Sequence, residues 1–164
     1  ARAGGARYVV VSLHWGEQYR HAPTPAQQEL GRRLLASADV DLVVGHHAHV
    51  VQPIEQVGGK WLVYGLGNLL SDYAQPERRD ELLVVATVTA EPAGRLTTRL
   101  AVVPLYLDRT THTVAPSAPE CRPVGVEPRL ADELAASWRW VDDLIAPGGG
   151  ADGLAVGCAG QSEP

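Results

Sequence analysis

Asp41-Leu42-Val43-Val44-Gly45-His46-His47-Ala48-His49-Val50-Val51-Gln52-Pro53 is the stretch on which both fold and chemistry turn. Its short apolar run reads as a buried strand. The run breaks at Gly45, and three histidines follow within four positions. In extended backbone, side chains alternate between faces, so His47 and His49 are expected on one face and His46 on the other. Two imidazoles on one face at a strand end can hold one metal ion or bracket two.

Upstream, Tyr8 to Leu13 is continuous and β-branched, the pattern of a strand buried on both faces. It ends at His14-Trp15-Gly16. Thr24-Pro25-Ala26-Gln27 predicts a helix start, with Thr as N-cap, Pro at the first helical position and Gln three residues after the cap. Leu30, Leu34, Leu35 and Ala38 continue the apolar stripe. Gly31 within it is expected to mark close packing against a sheet. Downstream, Gly58-Gly59 is a turn. Trp61 to Tyr64 is a third strand, ending at Gly65-Leu66-Gly67-Asn68. Strand, helix and strand in this order make a βαβ unit with parallel strands and a right-handed crossover.

Beyond that unit, Glu81–Ala90 and Leu96–Leu107 are predicted as an antiparallel hairpin around Glu91-Pro92-Ala93-Gly94-Arg95. A proline-rich loop is expected from Ala115 to Pro128. Leu130, Leu134, Trp138, Val141 and Ile145 then form one helical stripe, with Trp138 in the core and Trp140 off it. The fold class is α/β with mixed sheets. Residues 1–145 are expected to form one domain, and the Gly/Ala-rich residues 146–164 a disordered tail.

At 164 residues, 45% hydrophobic and 20% charged, the chain suits one globular domain. A net charge of -5, with no Lys/Arg cluster, argues against a nucleic-acid partner. No apolar run is long enough to span a bilayer. The chain opens without Met, in Ala-Arg-Ala-Gly-Gly-Ala-Arg, and is expected to be the C-terminal part of a longer protein. Cys121 and Cys158 could pair in an oxidising compartment. His21 and His112 are lone loop histidines, expected to have no function.

The three strand ends each place a glycine next to a polar residue. In α/β sheets a ligand site lies beyond the carboxyl ends of the strands. If the strands are parallel neighbours, His14, His47, His49 and Asn68 converge. Cysteine-free imidazole ligation argues against a closed structural zinc site and for an open one.

The runs Val10-Val11-Ser12-Leu13-His14-Trp15-Gly16, Gly45 to Pro53 with Glu55 after it, and Tyr64-Gly65-Leu66-Gly67-Asn68 resemble the bacterial CapA family. That family is linked to capsule and poly-γ-glutamate synthesis and belongs to the calcineurin-like metallophosphoesterase superfamily. The resemblance is dense from Arg7 to Asp72 and loose from Glu81 to Asp108. It implies a partial metallophosphoesterase-like β-sandwich flanked by helices, with two divalent ions (Mn, Fe or Zn) at the strand ends. By resemblance His14, His47 and His49 are metal ligands, and His49 and Asn68 serve catalysis, Asn68 by shaping the site. Gln18 stands where relatives often carry Glu, and Leu69 where they carry Phe.

The superfamily's early Asp, its Gly-Asp motif and its Asn-His pair lie upstream of the first motif. The site is therefore expected to be incomplete in this chain, its partner being the N-terminal half of the same domain. The implied activity is metal-assisted hydrolysis or transfer on an anionic polymer or a phosphoester or amide substrate, in or outside the bacterial cell envelope. This chain alone is expected to be inactive. The alternative is a non-catalytic polymer-binding or export component that keeps the fold.

Overall fold

The β-branched run before the first histidine forms β1 (Val10–His14), and the apolar run before the cluster forms β2 (Leu42–His46). The computed structural model describes residues 1–92, 94–145 and 153–158. β1 and β2 pair in parallel, in register from Val10 with Leu42 to His14 with His46. β2 pairs in parallel with β4 (Lys60–Val63). β3 (Ile54–Val57) turns through Gly58-Gly59 and pairs antiparallel with β4, giving the order β1-β2-β4-β3. Sequence reading did not resolve β3, because four residues carry too little periodicity to stand out.

Between β1 and β2 runs α1 (Pro25–Ala36). Its start is the expected capping box: the Thr24 hydroxyl accepts from the Gln27 backbone N–H, and the Gln27 side chain accepts from the Thr24 N–H. Gly31 faces the sheet, where a Cβ would come 2.7 Å from a Leu62 methyl. The other end of α1 is tied by the chain's single lysine. Lys60 Nζ donates to the carbonyls of Leu35, Ser37 and Val40, satisfying acceptors that a helix end leaves open.

The second sheet is built on β5 (Asp80–Ala90) and β6 (Leu96–Asp108), antiparallel along their whole length. β7 (Thr113–Pro116) adds antiparallel to β6, and β8 (Leu154–Val156) adds parallel to it. α2 (Pro128–Ile145) packs on β6. One core joins the layers: Leu42, Val51, Trp61 and Val63 of the first sheet meet Leu82, Leu100 and Val102 of the second, with Val141 and Ile145 of α2. The described residues thus form a mixed α/β structure of two four-stranded sheets and two α-helices, with the expected βαβ unit and hairpin.

Four expectations are corrected. β1 is not buried on both faces: it lies at the sheet edge, its exposure alternates, and Val10 is 51% exposed. The proline-rich stretch after Ala115 contains the end of β7. Trp138 is half-buried rather than core, because Ser137 takes the buried position beside it. Within the stretch expected to be a disordered tail, residues 153–158 supply β8 and Cys158, which forms a disulfide with Cys121. The rest of that stretch lies outside the described residues. No helix among the described residues is long and apolar enough to cross a membrane.

Gly45 is where the fold reaches the histidine loop. The Trp15 indole crosses it to donate to the Tyr64 carbonyl at 3.0 Å, and a Cβ at Gly45 would fall on both atoms. Gly45→Ala is expected to destabilise the chain by about 1–3 kcal/mol. Urea unfolding checks this, and wild-type stability in the variant would contradict it.

Candidate functional site

The parallel β1–β2 register brings two separate motifs side by side. His14 ends β1 opposite His46, and the chain turns at once so that His47 meets His14. His47 Nδ1 lies 2.8 Å from His14 Nε2, with ring centroids 4.5 Å apart. His49 stands 6.3 Å from His47, centroid to centroid. The three rings therefore gather at one sheet edge, though not by the extended geometry expected. His47 and His49 have φ of 89° and 57°, left-handed values that non-glycine residues seldom adopt. The loop is pinned by backbone bonds from Trp15 N to His46 O and from Tyr19 N to Ala48 O. Among the described residues His46 joins none of these ring contacts.

Asn68, at the end of the third parallel strand's extension, fixes His49. Its Nδ2 donates to the backbone carbonyls of His49 and Arg78 at 3.0 and 3.3 Å, which orients the amide. Its Oδ1 then accepts from His49 Nδ1 at 2.6 Å. An amide oxygen only accepts, so His49 donates from Nδ1, and in the neutral ring the lone pair is on Nε2. That is how an imidazole ligand is oriented by an outer partner.

The donor set fits a divalent cation in part. His14 and His47 present adjacent ring nitrogens that now share a proton in a hydrogen bond and could instead face one ion. His49 keeps a free nitrogen. Yet among the described residues the three imidazoles do not close into one cluster, and no carboxylate joins them. Among the described residues, the group with three ligand atoms mutually within 4.8 Å is Glu120, Cys121 and Cys158, whose sulfurs are spent in the disulfide. Glu55, part of the motif resemblance, serves the scaffold. It accepts from Arg32 on α1 and from the Tyr64 hydroxyl. Burial opposes its charge, but those bonds outweigh it and its pKa is lowered. Gln18 is exposed, as is Leu69.

Sequence reading missed the wall around these histidines. The Tyr19 and Tyr73 rings lie 5.9 and 6.1 Å from that of His49, and their hydroxyls are 3.0 Å apart. The Arg78 guanidinium stacks 3.7 Å from the Tyr19 ring centroid. No spacing in the sequence announces these partners. A cavity of about 570 Å³ opens beside α2, lined by His21, Arg79, Asp80, Tyr106, Ser137 and Trp140. His21, expected to be idle, donates from Nδ1 to the Val51 carbonyl and meets the Trp140 ring edge-on at 5.3 Å. Asp80 and Glu81 are almost fully buried, and neither Asp80 Oδ1 nor the two Glu81 carboxyl oxygens has a hydrogen-bond partner among the described residues. Burial pushes both carboxyls up to about 7, and for Glu81 the charge of Asp80 adds to the effect.

Residues 1–73 match the sequence model of a family described as "Bacterial capsule synthesis protein PGA_cap". A "PGA biosynthesis protein CapA" of Bacillus subtilis is 39% identical over 90 residues, covering 55% of this chain and 23% of that protein. A "Capsule biosynthesis protein CapA" of Bacillus anthracis is 37% identical over 83 residues, covering 51% of this chain and 20% of that protein. A "Probable polyglutamine synthesis accessory protein" of Mycobacterium tuberculosis is 33% identical over 105 residues, covering 62% and 27%. The chain thus aligns with about a quarter of the length of the curated relatives it matches. The family match spans His14, His47 and His49, and the matches together are consistent with the CapA family.

The buried carboxyls carry a pH consequence. Asp80 and Glu81 keep protons in the folded chain at pH values where the unfolded chain has released them. Stability is therefore greatest below about pH 4 for these two groups and falls as pH rises towards 7. In urea unfolding across that window, the double variant Asp80→Asn, Glu81→Gln is expected to lose much of this decline. An equal decline in the variant would contradict the assignment.

Proposed function

We propose, from the CapA likeness of residues 1–73, that this chain carries part of a metal-dependent hydrolase or transferase site serving capsule or poly-γ-glutamate synthesis. The observation that carries this reading is the meeting of His14 and His47 at 2.8 Å from separate strands, with His49 beside them. Such contact between motifs 33 residues apart is what a shared ligand requires. The parallel strands, the hairpin and the common core are compatible with a partial metallophosphoesterase-like fold.

In this reading His14 and His47 would hold one divalent cation, Mn, Fe or Zn, through the ring nitrogens that now share a hydrogen bond. A cation bound there supplies Lewis-acid polarisation of a substrate oxygen and a more acidic water. His49, oriented by Asn68 through Nδ1, would offer Nε2 to a second cation or to a proton at the reacting oxygen. Asn68 does not touch substrate here; it sets the tautomer and the ring direction. Two or three imidazoles under-coordinate a dinuclear centre, so the proposal includes further ligands from outside these 164 residues. The substrate in this reading is an ester or amide in an anionic envelope polymer.

A second reading, a polymer-binding component without catalysis, is favoured by one observation. No carboxylate among the described residues completes a cluster with the histidines.

The two are separated by metal and by turnover. His14→Ala and His47→Ala are each expected to weaken Mn or Zn binding by about tenfold or more in calorimetric titration. Metal affinity unchanged in both variants would reject the metal site. Binding without Mn-dependent phosphodiesterase or amidase activity in a longer chain that supplies the further ligands would favour the second reading.

A further inference from the structure

We propose that Arg78 is the residue that grips the oxyanion of the substrate at the histidine site, a role resting on the site reading above. Arg78 belongs to a short 3-10 turn, Pro76–Arg78, just before β5. The two arginines there diverge. Arg79 is buried, 3.8 Å from Glu133 and over the Tyr106 ring. Arg78 goes to the histidine side instead. Its guanidinium carbon lies 3.7 Å from the Tyr19 ring centroid and 5.4 Å from that of Tyr73. Both of those rings touch His49.

Three features make this a built contact. The Arg78 backbone carbonyl accepts from Asn68 Nδ2, the same amide that orients His49, so one side chain ties the backbone of Arg78 to the His49 ring. Ser71 Oγ donates to that carbonyl as well. Second, the cation–π contact with Tyr19 holds the guanidinium beside that ring, and a guanidinium offers paired donors to an oxyanion. Third, Arg78 has no ion-pair partner among the described residues, while Arg20, Arg32 and Arg109 nearby in the fold or sequence each have a carboxylate within 3 Å. Of the three guanidinium nitrogens, Nε alone is both buried and unpartnered, so pairing falls to the Nη end. A cation with no ion-pair partner among the described residues, one ring from His49, selects a substrate bearing a carboxylate or phosphoryl oxyanion.

The test uses Arg78→Gln, which keeps a planar group on Tyr19 and removes the charge, and Arg78→Lys, which keeps the charge. Binding of a short γ-linked glutamate oligomer and of inorganic phosphate is measured by calorimetry with Mn present, alongside metal content. Arg78→Gln is expected to weaken at least one probe by about tenfold or more, and Arg78→Lys to retain most of the affinity, with metal content unchanged in both. Loss for the oligomer alone identifies a carboxylate, and loss for phosphate alone a phosphoryl group. Wild-type affinity for both probes in Arg78→Gln would overturn the proposal. A wild-type protein that holds no metal would instead overturn the metal reading, and the probe titrations would still judge Arg78.

Discussion

The parallel pairing of β1 with β2 is the constraint from which the site follows. Because Val10 pairs with Leu42, His14 must pair with His46, and the first turn beyond β2 has nowhere to go but over the His14 ring. A slip of one residue would send every β1 side chain to the other face and separate the two motifs. The register is held from both sides of the crossover. The Thr24–Gln27 capping box fixes where α1 begins, and Lys60 fixes where it ends. Gln27 goes further. Its Nε2 donates to Gln52, whose own amide donates to the Arg20 carbonyl, so the helix start, the loop after β1 and the chain after the histidines form one buried network. A satisfied buried network of this kind specifies one arrangement, since breaking any member leaves an unpaired polar group.

Asn68 plays the equivalent part at the third strand end. One amide binds the His49 ring, the His49 carbonyl and the Arg78 carbonyl. The His49 ring and the Arg78 backbone are thus tied together by a single residue that is itself no candidate ligand. Gly67, with φ of 85°, allows this approach, because a Cβ there would meet the Asp80 carbonyl at 2.6 Å.

Much of this was legible in the sequence because the signals are local. The capping box, the βαβ order, the hairpin and the glycine-ended strands each depend on residues a few positions apart. The gathering of His14, His47, His49 and Asn68 followed from topology alone, once three strands were taken as parallel neighbours. What failed was backbone detail. Alternation along an extended segment is not the reason His47 and His49 lie together, since both residues are left-handed. Burial of β1 was misjudged because an apolar run does not say whether a neighbour covers it. Tyr19, Tyr73 and Arg78 were invisible because their meeting depends on loops far apart in sequence. Residues 153–158 were misread for the opposite reason: their composition is loop-like, and only pairing with β6 and the Cys121 bond give them a place.

The most direct measurement is a crystal structure with Mn at saturating concentration, examined by anomalous scattering. The account expects a peak between His14 Nε2 and His47 Nδ1, both within about 2.0–2.3 Å of the ion, as metal–imidazole bonds require, and the direct bond between the rings opened. Rings still hydrogen-bonded to each other, with no anomalous peak beside them, would contradict it.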